Sequence, residues 1–168
     1  MKPRIEKLGT LDLDMVETTP VVFRERLYRF EYIRRNYWAN DTGDSYFRFV
    51  DCETGRFSPL FARGYHLGNV FVEDETLYIT ATDIWDGERV DLFVSRDMER
   101  WESWNALNLP GYGLFNTSVC RAGDRYVMMF EAGRPAEVVG VRFTAFFATS
   151  RDMRRWEVMP PECSYSKD

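Results

Sequence analysis

The stretch Ser95-Arg-Asp-Met-Glu-Arg-Trp-Glu102 returns 55 residues later as Ser150-Arg-Asp-Met-Arg-Arg-Trp-Glu157, with seven of eight positions identical. Agreement of this kind marks a repeated structural unit. Each copy follows a run of rings and β-branched side chains, Val90-Asp-Leu-Phe-Val94 and Phe143-Thr-Ala-Phe-Phe-Ala148, the composition that suits a strand. The motif therefore reads as a turn joining two strands. Asp97 and Asp152 are expected to accept backbone N–H bonds inside it, and Trp101 and Trp156 to pack between units. A degenerate earlier copy runs from Tyr46-Phe-Arg-Phe-Val50 into Asp51-Cys-Glu-Thr-Gly-Arg-Phe57, with Phe57 in the place of the tryptophan.

Working outward, each turn is preceded by a further pair of strand-like runs. They are Thr19–Phe23 with Leu27–Glu31, Asn69–Val72 with Leu77–Thr80, and Thr117–Cys120 with Tyr126–Glu131. The linkers Arg24–Arg26, Glu73–Thr76 and Arg121–Arg125 are short and polar, as hairpin turns require. Four strands in roughly 50 residues is one propeller blade. The chain thus reads as all-β, a β-propeller of three four-stranded blades at about residues 10–62, 63–112 and 113–162. No segment sustains helical apolar spacing over two turns. The connections Arg34–Asp44, Trp85–Arg89 and Gly133–Gly140 are rich in loop-forming residues and leave one end of the blades.

The 168 residues carry 22 basic and 27 acidic side chains, a net charge of −5, which disfavours a nucleic-acid partner. The longest apolar runs, Val138–Val141 and Ala145–Ala148, fall far short of the ~20 residues of a membrane helix. Cys52, Cys120 and Cys163 are odd in number and widely spaced, so neither disulfides nor a zinc site is expected. The charged start, Met1–Thr10, shows no secretory pattern, and the cytoplasm is the expected compartment. His66 is the single histidine.

The Ser-x-Asp-x-x-x-Trp turn, set once per blade behind Leu-Tyr strands, resembles the five-bladed β-propeller glycoside hydrolases of families 32, 43 and 68, most of all the family-43-like members. The resemblance implies cleavage of a glycosidic bond of a neutral poly- or oligosaccharide in a funnel on the propeller axis. Carboxylates from successive blades would supply the base or nucleophile, a modulating acid and the general acid. It implies no organic cofactor, although some relatives hold a calcium ion on the axis.

The family's acids sit near the innermost strands, yet here only Glu17 does; the other two strands open on His66-Leu-Gly-Asn69 and Phe115-Asn-Thr117. Substitutes lie at the ends of the second strands. Asp83 and Glu131 each follow a tyrosine by five residues and are read as equivalent, with Glu31 two residues earlier in register. Glu131 is the expected general acid, Glu31 or Glu17 the base, and Asp83 the modulator or a hydroxyl ligand. For each acid a structural reading stands beside the catalytic one: Glu31 paired to Arg34 and Arg35, Asp83 in an ordinary turn, Glu17 at a strand edge, Glu131 capping a loop. His66, Asn69 and Asn116 are candidate hydroxyl ligands, and Trp38, Trp85 and Tyr112, with Tyr37, candidate stacking rings. The alternative to an enzyme is a carbohydrate-binding or interaction propeller whose acids have lost their roles.

Closed propellers have about four to eight blades, and three leave two apolar blade faces uncovered. The missing blades are expected from the rest of a longer chain or from a second copy.

Overall fold

The structure, a computed structural model, describes residues 3–7, 9, 14–35 and 44–165. The strands are β1 (Met15–Phe23), β2 (Arg26–Arg34), β3 (Ser45–Asp51), β4 (His66–Glu73), β5 (Thr76–Thr82), β6 (Arg89–Ser95), β7 (Glu102–Asn108), β8 (Leu114–Ala122), β9 (Arg125–Ala132), β10 (Thr144–Ser150) and β11 (Glu157–Val158). They form three antiparallel meanders, ordered β1-β2-β3, β4-β5-β6-β7 and β8-β9-β10-β11. One helical turn, α1 (Ala136–Val139), lies in the β9–β10 connection. The all-β reading holds.

The first sheet departs from the expected four strands. Beyond β3 the chain makes only the bridges Val50↔Phe57 and Phe47↔Phe61. Pro59 has no N–H to give to a ladder, and the Phe49 N–H donates to the Ser58 Oγ at 2.9 Å where a regular strand would offer a carbonyl. The fourth strand is thereby reduced to an irregular edge.

Two apolar layers hold the sheets together. Phe30, Tyr32, Phe47 and Phe49 of the first sheet pack with Leu77, Ile79, Ala81 and Phe93 of the second. Val90, Leu92 and Leu107 of the second pack with Tyr126, Met128, Phe130 and Phe146 of the third. Alternate residues of β5 thus serve different interfaces, and Thr80 Oγ1 reaches Thr117 Oγ1 of the third sheet at 2.7 Å. The strand is sandwiched on both faces, so it lacks an exposed side.

The repeated turns form as their residues dictate. Asp97 Oδ1 accepts from the Glu99 and Arg100 N–H groups at 2.9 and 2.8 Å, and Asp152 Oδ1 does the same for Arg154 and Arg155 at 2.8 and 2.9 Å. Ser95 Oγ accepts from the N–H groups of Asp97 and Met98. Met98 and Met153 take the left-handed conformation, φ 63° and 61°. Trp101 stacks on Phe61 with ring centroids 3.8 Å apart, between the first two sheets.

Hairpin register corrects one expectation. The pairs Val22↔Leu27, Val72↔Leu77 and Arg121↔Tyr126 each stand second from their hairpin turn, so Tyr126 corresponds to Leu77 and not to Tyr78. Counting five residues onward, Tyr32, Thr82 and Glu131 share one position in their blades. Asp83 corresponds to Ala132, and Glu31 to Ala81 and Phe130.

Each innermost strand carries one extra residue near its axial end, between Met15 and Glu17, His66 and Asn69, and Leu114 and Thr117. Bulges of this kind bend a strand and re-aim its side chains. In the second sheet the bulge holds Leu67 at φ 54°. Gly68 follows it because a Cβ there would stand 2.6 Å from the Phe47 ring.

Candidate active site at the axial end

The three bulged ends converge, and with them come Glu17, Tyr32, Arg34, His66, Trp85, Asn116 and Glu131. Glu17 and Tyr32 are cross-strand neighbours in the first sheet. In the third, Asn116 Nδ2 donates to Glu131 Oε2 at 3.0 Å. The Tyr32 hydroxyl and His66 Nδ1 are hydrogen-bonded at 2.5 Å, and both side chains are buried. Trp85 meets the His66 ring edge-on, with centroids 6.5 Å apart, and the Phe115 ring at 5.6 Å. The Arg34 guanidinium lies 5.5 Å from the Trp85 ring centroid.

Glu17 is open to solvent on one side and walled by the site on the other. Partial burial raises its carboxyl above the ordinary carboxylate range; the Arg34 cation pulls it down, and the Glu131 charge pushes it up. Glu17 and Glu131 thus stand at the same end of the first and third blades, beside the bulges of β1 and β8. Burial pushes the Tyr32 hydroxyl up to about 12, Arg34 opposing and Glu17 adding, so it remains a phenol at neutral pH.

Other candidates lie elsewhere. Glu31 faces away from the second sheet, wholly buried between Arg29 Nε at 2.7 Å and Arg48 Nε at 2.8 Å, in the position of an interblade core residue. Asp83 is half-buried, 3.9 Å from Arg89 Nε through Oδ2, while its Oδ1 has no partner among the described residues. Asn69, half-buried beyond the bulge of β4, pairs with Thr80 in the ladder. Tyr112 packs into the layer between the second and third sheets. Trp38 and Tyr37 fall outside the described residues.

Tyr32 and Arg34 are functional candidates that the sequence reading missed. The signal was strand alternation: positions 30, 32 and 34 share a face, so Arg34 follows Phe30 and Tyr32 inward and cannot reach back to Glu31. Arg29 and Arg48 take that partnership instead. As for the calcium ion of some relatives, among the described residues no three His, Cys, Asp or Glu side chains converge to hold a metal.

Three antiparallel sheets packed side by side define a segment of a five-bladed β-propeller fold. The fold matches part of the five-bladed propeller glycosidases of family GH43 and their relatives. The xyloglucan PUL protein GH43B of Bacteroides ovatus superposes with a TM-score of 0.62 at 14% identity, over 89% of this chain and 31% of that one. The α-L-arabinofuranosidase Arb93A of Fusarium graminearum gives 0.65 at 12%, over 92% and 50%. The α-L-arabinanase of Penicillium chrysogenum, solved with arabinobiose, gives 0.61 at 12%, over 87% and 49%. This chain therefore spans between about a third and a half of the length of these structures. No family model and no curated protein matches the sequence.

Proposed function

We propose that the axial site binds a saccharide and that Glu17 and Glu131 act together on its glycosidic bond. The observation that carries the reading is the meeting of the bulged ends of β1, β4 and β8, which sets Glu17 and the Asn116-held Glu131 at one end of the blades, with burial raising the Glu17 carboxyl. Glycoside hydrolysis needs one carboxyl that keeps its proton and one that accepts or attacks. Glu17 suits the first task, protonating the leaving oxygen. Glu131, oriented by the Asn116 amide, suits the second, activating water or attacking the anomeric carbon. These roles reverse those expected from the sequence. Trp85 offers a ring face to the sugar, and His66, buried behind it and hydrogen-bonded to Tyr32, backs that wall. The shared fold with an arabinofuranosidase and an arabinanase supports the substrate class, and further blades from a longer chain or a second copy would close the ring around it.

The test is turnover of a panel of aryl glycosides by the wild-type chain and by Glu17→Gln and Glu131→Gln. Each variant is expected to lose on the order of 10²–10⁴-fold in rate while still unfolding in a single cooperative transition. A second reading, a binding module without chemistry, is favoured by the capture of Glu31 and Asp83 outside the site. Saccharide binding with no turnover by the wild type would select it.

A further inference from the structure

Arg142 stands beside this site, in the β9–β10 connection two residues before β10. Its guanidinium carbon is 5.4 Å from the centroid of the Phe115 ring and 4.9 Å from that of Phe143, and the two rings meet edge to face at 4.8 Å. Gly133 makes the arrangement possible: a Cβ there would approach Phe115 Cε2 to 2.8 Å and Arg142 Nε to 3.2 Å. A cation fixed over two ring faces has lost much of the freedom that an exposed arginine ordinarily keeps.

Arg142 is exposed, yet no carboxylate among the described residues pairs with it. Its neighbour Arg134 is engaged by Glu88, by Asp86 and by the Gly111 carbonyl. Among the described residues at this edge, Arg142 combines a preset orientation with an unmatched charge, in a chain of net charge −5. Phe115, on which it rests, precedes Asn116, the residue that holds Glu131. An arginine fork receives a carboxylate through two parallel hydrogen bonds, which a neutral hydroxymethyl group cannot reproduce.

We infer that the saccharide carries a uronic acid, whose carboxylate is received by Arg142 while the adjoining glycosidic bond lies toward Glu17 and Glu131. The inference rests on the saccharide reading above and gives it an acidic sugar in place of the neutral one expected from the sequence.

Calorimetric titration of the chain with galacturonate- and glucuronate-containing disaccharides, each beside its neutral counterpart, tests it. An acidic disaccharide is expected to bind on the order of tenfold tighter than its neutral partner at low salt. Arg142→Gln should erase that preference without changing neutral-sugar affinity, and Arg142→Lys, which keeps charge but loses the fork, should keep only part of it. Equal or better binding of the neutral sugars, or a preference that survives Arg142→Gln, overturns the uronate inference and leaves the saccharide reading standing. No binding by any sugar of the panel overturns both.

Discussion

Tyr32 and His66 bury two polar groups against one another at the centre of the molecule. Tyr32→Phe removes that partner from His66 Nδ1 without changing the ring volume. The expected cost is about 0.5–1.5 kcal/mol, the net worth of one hydrogen bond, read from urea unfolding. Glu17 makes a prediction of opposite sign. Its carboxyl is raised in the folded state, so the folded chain holds a proton that the unfolded chain releases, and stability falls as pH rises from the ordinary carboxylate range through the raised value. Glu17→Gln should remove that decline, visible as a flatter unfolding midpoint between mildly acidic and neutral pH. Arg34 shows how far sequence reasoning reached at this scale. Proximity in the chain suggested a partnership with Glu31, but an odd separation in a strand puts the two side chains on opposite faces.

Among the elements, the repeated turn was legible because its chemistry is local: a serine, an aspartate two residues on, and backbone N–H groups within reach. Asp152 is held below its ordinary range by the Arg155 and Arg154 N–H groups. Its contribution is therefore present above the unfolded value and lost as pH falls through the depressed one. Asp152→Ala is expected to lower the unfolding midpoint at neutral pH, with the difference from wild type closing in strong acid. The interior of the first blade is less forgiving. Phe47 is fully buried, with its ring against Phe30, Tyr32 and Phe61, and Phe47→Ala should cost about 3–5 kcal/mol. The broken fourth strand of that blade was not legible, because Phe57-Ser-Pro59 keeps an aromatic start and loses its ladder only at the proline. The tyrosine count that aligned Asp83 with Glu131 slipped by one residue for a related reason. Which residue opens a hairpin is decided by pairing, and pairing is not printed in composition.

Across the whole molecule, the repeat announced the architecture and the solved propellers share it, while the site depended on interblade geometry that no single blade encodes. The outward face of the first blade carries Val22 at 65%, Leu27 at 51% and Phe57 at 58% exposure, an apolar surface of the kind that seeks cover. The wild-type chain is expected to associate through this face in a concentration-dependent way in sedimentation, and replacing Val22 and Leu27 together by lysine should abolish that association while leaving thermal unfolding within about 0.5 kcal/mol, as surface changes usually do. Beneath that surface, the buried Arg29–Glu31–Arg48 cluster sits where the other blades have Ala81 and Phe130.

The shared position of Tyr32, Thr82 and Glu131 has one more consequence. Each blade presents the same socket to the axis, filled respectively by a phenol, a hydroxyl and a carboxyl, so the backbone is a turret whose chemistry can be exchanged one side chain at a time. Duplication would hand every new blade a ready-aimed socket, and a new activity would need a change of occupant without any change of scaffold.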